Sequence, residues 1–397
     1  MTAEQTTARR GTNLPRMGDF NESVVLDAIR RAPEGLSRVE LAGATRLSAQ
    51  TVSNICRRLI QGGLVREAGK KSGLGGKPRI VLQVEPSARY AVGVHLDPAV
   101  VTYVVLDLVG SVVHRMRRPT PQVADEVATL DEMAAALAQV LEESGVDRSK
   151  VLGLGIAAPG PLDLAAGAIV RPPQLQGWER VHVRDRLAEA TGLPVVMDKD
   201  VIAAAIAERW AGVAQHSGNF LFFYIGTGSG MGLVVEDVVV RGFSGNAGEI
   251  GGLDASLTTR ALVAEAIERG VLEAGDAPVG PRDAEVQAAR LAELAHGGDE
   301  AAIGIIDGWA RRVGRGVCAA ATLVDSELIV FGGPVWPIVR ERFLEVVPEI
   351  VSTWPYRALH DFEVVGSGLG DDVGAVGAAC LVLDQTLSAQ PQALLVR

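Results

Sequence analysis

The sequence predicts an α/β protein in which a winged helix-turn-helix head precedes a body of two related α/β lobes. Three observations carry this reading. Residues 1–90 hold 15 Lys and Arg against 8 Asp and Glu, a net of +7, while the remainder holds 23 against 40, a net of −17. Within the basic part, short capped helical patterns are followed by a strand, a glycine-rich loop and a returning strand. In the acidic part, three strands joined by tight turns recur about 130 residues further on.

Length and composition set the outer limits. A chain of 397 residues, 48% hydrophobic and 22% charged, has the balance of a folded globular protein with two or three domains. Apolar stretches such as Tyr103–Leu108 are interrupted by charge well short of the ~18 residues a membrane span requires. The opening Met1-Thr2-Ala3-Glu4-Gln5 has no basic segment leading into an apolar one, so no signal peptide is expected. Cys56, Cys318 and Cys380 lie far apart and form neither a zinc spacing nor a disulfide framework. The expectation is a soluble cytoplasmic protein without metal or cofactor. A basic head on an acidic body suggests that one module meets a polyanion while the other repels it.

In the head, Asn21–Arg31 carries Val24, Val25, Leu26 and Ile29 at helical spacing, and Pro33-Glu34-Gly35 ends the helix. Ser37-Arg38-Val39-Glu40 is a capping box that starts a second helix, running to about Ala44 and burying Val39 and Leu41. After a turn, Ser48 caps a third helix, Ala49–Gln61, with an apolar stripe of Val52, Ile55, Leu59 and Ile60. Ser48, Gln50, Thr51, Ser53, Asn54 and Arg57 remain as a polar face near its start. Two short helices, a turn and such a face are what major-groove reading requires. Gln and Asn can bond adenine edges and Arg can grip guanine, each worth roughly 1–3 kcal/mol of discrimination. Gly63–Glu67 and Arg79–Val84 read as the strands of a β-wing around the loop Ala68–Pro78, with Lys77 and Arg79 placed for phosphate or minor-groove contact. Arg9, Arg10 and Arg16 form a basic arm over residues 1–20. The head proper spans 21–88. Its alternative reading is a helical protein-interaction module.

The body begins with strands Ala91–Leu96, Val100–Leu108 and Gly110–Arg117, then a helix near Leu130–Ser144 and the strand Val151–Ala157. A helix near Val183–Thr191, the strand Pro194–Met197 and a helix from about Val201 to Ala211 follow. The pattern restarts with Asn219–Ile225, Gly230–Val235 and Val238–Phe243. Helices near Thr259–Glu273, Ala284–Ala295 and Ala301–Val324, the strand Leu328–Phe331 and helices Val335–Val351 and Asp372–Thr386 complete the lobe pattern. The first lobe is assigned 89–200, completed by a C-terminal helix over 372–388, and the second 201–371. A cleft between two such lobes is the default place for a small ligand.

Polar groups collect where that cleft belongs. Gly226-Thr227-Gly228-Ser229-Gly230-Met231-Gly232 joins two strands and exposes backbone N–H groups, either as an anion cradle or as a tight hairpin. Asp198-Lys199-Asp200 ends a strand, and Asp200 stands before a helix, as an N-cap or as an acceptor for ligand hydroxyls. Lys199 would bring a cation to the rim or neutralise Asp198. Glu249 sits in the glycine-rich loop Ser244–Gly252.

These motifs resemble the ROK family of sugar kinases and sugar-responsive repressors. The likeness rests on Ala158-Pro159-Gly160-Pro161-Leu162-Asp163, Leu175-Gln176-Gly177-Trp178, Asp198–Glu208, Gly226–Gly232, Arg241–Gly251, Gly332-Gly333 and Gly374–Leu381. The resemblance implies an actin/hexokinase-like body, a duplicated ribonuclease H-like lobe. It also implies a head of the kind that the family's regulators have and its kinases lack. The family's catalytic Asp matches Asp200, preceded here by Lys199 instead of Asn. The glutamate of its Gly-Glu-x-Gly-His motif matches Glu249, with Gly252 in place of His. The family's cysteine-rich zinc loop has no counterpart in Leu253–Thr259, and the Asn of its Pro-Asn-Leu sugar loop is Gln174. The kinases' Asp-x-Gly-Gly-Thr phosphate loop reads His95-Leu96-Asp97-Pro98-Ala99, which loses the acid, both glycines and the hydroxyl.

The resemblance therefore implies a regulator, not an enzyme, with no catalytic residues. It would be a repressor of carbohydrate-related genes that binds palindromic operator DNA as a homodimer or homotetramer. A sugar or sugar-derived effector would be held by Gln174, Lys199, Asp200 and Glu249. The alternatives are a bifunctional sugar kinase with a DNA-binding head, and a ligand-independent regulator whose lobes only oligomerise.

Overall fold

A computed structural model of the chain describes residues 14–71, 78–121, 125–173, 175, 177–273, 275, 283–355 and 362–388. The chain divides into two compact units, one formed chiefly by residues 1–90 and the other by residues 91–106 and 110–382.

The first unit is a three-helix bundle with a small sheet. Helix α1 (Leu14–Arg30) starts earlier than the sequence pattern suggests, because Phe20 and Val24 extend the helical spacing toward the N-terminus. Arg16 therefore belongs to the helix and not to an arm before it, and Arg9 and Arg10 lie outside the described residues. Strand β1 (Leu36–Ser37) leads into α2 (Arg38–Thr45), and α3 (Ala49–Gln61) follows. The capping box is closed in both directions: the Glu40 N–H donates to Ser37 Oγ at 3.4 Å, and the Ser37 N–H donates to Glu40 Oε2 at 2.7 Å. Ser37→Ala is expected to destabilise this unit by about 1 kcal/mol. Denaturant melts of the variant and parent followed at the head's helices measure it, and unchanged midpoints would deny the cap its role.

Val25, Ile29, Leu41, Val52, Ile55, Cys56 and Leu59 fill the core of the bundle. Val39, expected to be buried, is 60% exposed, since so short a helix turns only one face inward. Strands β2 (Val65–Lys71) and β3 (Arg79–Val84) pair antiparallel, and β1 joins them through Leu36 opposite Leu82. β2 runs four residues beyond the expected strand. A register shift between Glu67 and Gly69 lets the ladder continue through residues assigned to the loop. Gly35 has φ +75° and sits where a Cβ would overlap Val81 and the Leu82 carbonyl, so only glycine lets the chain enter β1 there.

The second unit holds two sheets of like topology. Strands β4 (Tyr90–Leu96), β5 (Val100–Asp107) and β6 (Val112–Pro119) precede α4 (Glu126–Ser144) and β7 (Val151–Ala158). Three short strands, β8 (Leu162–Asp163), β9 (Ala168–Val170) and β10 (Arg180–Val181), form a separate small sheet that the sequence pattern does not reveal. Then come α5 (Val183–Thr191), β11 (Val195–Lys199) and α6 (Asp200–Trp210). The second lobe runs through β12 (Phe220–Ile225), β13 (Ser229–Val235), β14 (Val238–Val239), α7 (Ile250–Leu253), α8 (Thr259–Glu268), α9 (Asp283–His296) and α10 (Glu300–Val324). It continues with β15 (Leu328–Gly332), α11 (Trp336–Thr353), β16 (Glu363–Gly366) and α12 (Val373–Leu387).

The sheet orders are β11-β7-β4-β5-β6 and β14-β13-β12-β15-β16, the same arrangement read from opposite edges, as duplication requires. β14 is shorter than the expected Val238–Phe243, and the Phe243 side chain is fully exposed. Helix α12 packs against the first lobe's sheet with almost no space between backbones. A Cβ on Gly93 or Gly155 would overlap the carbonyl of Ala375 or Ala378, and one on Gly377 would overlap Ala203 of α6. Among the described residues, no helix is long and apolar enough to cross a membrane.

Candidate functional site

Two regions gather the residues singled out from the sequence. The first is the exposed face of α3. Ser48 Oγ accepts the Thr51 N–H at 3.1 Å, fixing the start of the helix. Gln50, Asn54 and Arg57 follow at i, i+4 and i+7 and form one connected row: Gln50 Nε2 and Arg57 Nη1 both donate to Asn54 Oδ1, at 3.1 and 3.4 Å. Ser53 is half-buried beside them. Arg58 is drawn away by an ion pair with Glu22 of α1 at 2.7 Å. On the wing, Arg79 lies opposite Lys71 at the loop end of the paired strands, both exposed, with Lys70 next to them. Lys70 and Lys71 belong to strand β2, so they are held along the hairpin, a cationic edge that the loop assignment missed. Lys77 lies outside the described residues.

The second region is a cleft of about 530 Å³ in the second unit, of a size suited to a small organic ligand. Asp97 and Pro98 line it from the β4–β5 turn, Lys199 and Asp200 from the junction of β11 and α6, and Glu249 from the loop before α7. Tyr224, Thr227 and Ser229 line it from β12 and the turn that follows. Ile225 and Ser229 are paired across that turn, which makes it a hairpin between β12 and β13. Gln174 lies outside the described residues, with Pro173 on the cleft wall.

Two expectations about this site are corrected. Lys199 is not a rim cation: its side chain is 2% exposed, and its Nζ pairs with Glu249 Oε1 at 2.5 Å. The ion-pair partner of Asp198 is Arg241, at 2.7 Å, and the charge of Lys199 acts on it only as a lesser pull. Adjacent residues on a strand point to opposite faces, so Asp198 and Lys199 take different partners. Asp200 is the first residue of α6, and Lys199 occupies the cap position. Its Oδ1 accepts the Val201 N–H at 2.7 Å, leaving Oδ2 without a hydrogen bond among the described residues. Asn246, absent from the expected set, clasps the first lobe: its Oδ1 accepts the Leu162 N–H at 2.8 Å and its Nδ2 donates to the Leu162 carbonyl at 2.9 Å.

Burial pushes the carboxyl groups of Asp198 and Asp200 up, against the pull of Arg241 on the first and of His95 and Lys199 on the second. A carboxyl raised in the folded state holds its proton more firmly than in the unfolded chain. Its stabilising share is complete below the ordinary value near ~4 and is lost as pH rises through the folded value. Asp200→Asn is therefore expected to melt above the parent at neutral pH, with the gap closing on acidification toward that value. Thermal melts across this range test it, and a variant that melts lower at neutral pH would contradict it.

The sequence profile of the ROK family matches residues 92–385, most of the chain. The chain belongs to the ROK family. A MarR family profile matches residues 13–72, the span of the three-helix head and the first wing strand. The chain is 24% identical over 375 residues to the xylose repressor of Caldicellulosiruptor bescii, covering 89% of this ROK chain and 93% of that one. It is 27% identical over 327 residues to a glucokinase of Halalkalibacterium halodurans, covering 75% of this chain and 96% of the glucokinase. Among solved structures, a ROK family transcriptional regulator described as a homolog of the E. coli MLC protein superposes with a TM-score of 0.73 at 21% identity. That match covers 94% of this chain and 97% of the other, and shows the shared fold. The repressor match, at 89% of this chain, reaches into the head, whereas the glucokinase is accounted for by about three-quarters of this chain.

Proposed function

We propose that this ROK protein is a cytoplasmic DNA-binding transcriptional regulator, a repressor of carbohydrate-related genes whose cleft senses a sugar or sugar-derived effector. The observation that carries the proposal is the Gln50–Asn54–Arg57 row on the exposed face of a capped helix, beside a cationic hairpin and in a MarR-type domain. Polar side chains that reach base edges supply sequence, and Arg and Lys on the wing supply phosphate contacts. The protein acts as a homodimer or homotetramer on a palindromic operator, because paired helix-turn-helix heads meet half-sites about one helical turn or a multiple apart. An effector that prefers one arrangement of the lobes shifts the paired heads by no more than that preference.

The cleft is a sensor and not a kinase site in this reading. Phosphoryl transfer depends on positioned phosphates and metal; Asp97 and Pro98 stand on the cleft wall, and the resemblance to the family's kinases would put glycines at these two positions. A carboxylate there repels triphosphate, and proline has no N–H to donate. Footprinting of the full-length protein over its own upstream DNA is expected to reveal a protected palindrome, and protection without two-fold symmetry would contradict the oligomeric reading. Asp200 at the start of α6 and the glucokinase match favour one second reading, a kinase with a DNA-binding head. ATP consumption with any sugar, abolished in Asp200→Asn, would establish that reading in place of the first.

A further inference from the structure

The hydrogen-bonding inventory of the cleft is lopsided. Among the described lining residues Lys199 is the one cation. An ammonium has three N–H donors, and those of Lys199 meet Glu249 Oε1 at 2.5 Å, the Ala247 carbonyl at 3.1 Å and the Asn246 carbonyl at 3.5 Å. Nothing remains for a ligand. The lining hydroxyls are spent in the same way. Thr227 Oγ1 donates to Glu285 at 2.9 Å, Ser229 Oγ to the Leu257 carbonyl at 3.2 Å, and Thr258 Oγ1 to the Ala255 carbonyl at 2.8 Å. With its single hydrogen committed, each hydroxyl offers only lone pairs, and Thr258 Oγ1 already uses one of its two to accept the Ala261 N–H at 3.3 Å.

Asp97, Asp200 and Glu249 add three carboxylates against one ammonium. Asp97 Oδ1 accepts the Ala99 N–H at 2.9 Å and Asp200 Oδ1 the Val201 N–H, so each keeps one oxygen without a partner among the described residues. A second observation marks the cluster as a ligand seat. Tyr224 lines the cleft at 5% exposure, and its hydroxyl has no hydrogen-bond partner among the described residues. Burial and the carboxylates of Asp97, Asp200, Glu285 and Asp371 hold that hydroxyl far above its ordinary pKa, so it stays protonated. Among the described lining side chains it is the one donor left.

The described side chains of the cleft favour a ligand that donates hydrogen bonds and carries positive charge. Among the described residues, no group of three or more His, Cys, Asp or Glu is placed to hold a metal ion, and an organic ammonium would supply the charge. We infer that the cleft binds a hydroxylated primary amine, an amino sugar or amino polyol with its amine free, and turns away sugar phosphates and sugar acids. The ammonium is held by Asp200 in the field of Asp97, ligand hydroxyls donate to the lone pairs of Thr227, Ser229 and Thr258, and one ligand oxygen accepts from Tyr224. This rests on the reading of the cleft as an effector site and specifies its chemistry.

Thermal shift and calorimetric titration of the full-length protein test it. The panel pairs glucosamine, galactosamine and mannosamine with the corresponding hexoses, hexose 6-phosphates and uronates. At least one amine is expected to raise the melting temperature and to bind about tenfold or more tightly than its hydroxyl counterpart, the size of one charge-assisted hydrogen bond. Asp200→Asn removes that margin and Tyr224→Phe weakens binding several-fold, while phosphates and uronates give no shift. A phosphate, uronate or neutral hexose that binds as tightly as the amine, or amine binding untouched by Asp200→Asn, overturns the inference. If a neutral or anionic sugar binds and is lost in Asp200→Asn, the effector reading stands without it. No shift from any member removes both.

Discussion

Arg57→Ala and Asn54→Ala are each expected to weaken specific operator binding by about 1–3 kcal/mol, roughly five- to hundredfold, and to relax preference at the bases they face. The two side chains share a hydrogen bond on one helical face, so their effects are expected to be less than additive in the double variant. Arg79→Ala, by contrast, is expected to weaken binding evenly across sequences and to lower the slope of log affinity against log salt by about one. Anisotropy titrations on operator and scrambled duplexes at several salt concentrations separate the two classes. Identical profiles for Arg57→Ala and Arg79→Ala would show that the recognition face lies elsewhere.

Gly155→Ala is expected to be the most damaging single-atom change in the body. The added Cβ would overlap the Ala378 carbonyl oxygen, and α12 cannot retreat, because Gly377 on its opposite side already rests on Ala203 of α6. Overpacking by one methyl typically costs about 1–3 kcal/mol, and contact with backbone on both sides of a helix puts this site at the upper end or beyond. A lowered melting temperature, or loss of folded protein during expression, is the expected result. Gly304→Ala in α10, where a Cβ would meet nothing, is the matched control and is expected to be neutral or mildly stabilising. Equal melting temperatures for the two variants would contradict the packing described for α12.

What was legible in the sequence depended on how local its cause is. The caps at Ser37 and Ser48 and the bounds of α3 were readable, because a capping box is made within four residues and an apolar stripe within one helix. The duplicated lobes were readable because each repeats the same strand run and turns. The full length of β2 was not, since the register shift that carries it past Glu67 is imposed by pairing with β3. The fate of Lys199 was hidden for a similar reason. Its partner lies 50 residues away on a loop, while the neighbour that suggested itself, Asp198, points to the opposite side of the strand. Tyr224 falls inside the expected strand Asn219–Ile225, where nothing local marks it, and only the fold shows its hydroxyl left over in a cleft wall.

The central claim is that one part of the chain reads DNA and the cleft of the other alters that reading. Its most direct test is an anisotropy titration of operator DNA by full-length protein and by Asp200→Asn, each with and without a cleft ligand found by thermal shift. The ligand is expected to change the parent's operator affinity and to leave that of Asp200→Asn unchanged, with both proteins binding equally in its absence. A ligand that occupies the cleft yet leaves the parent's operator affinity unaltered would contradict it.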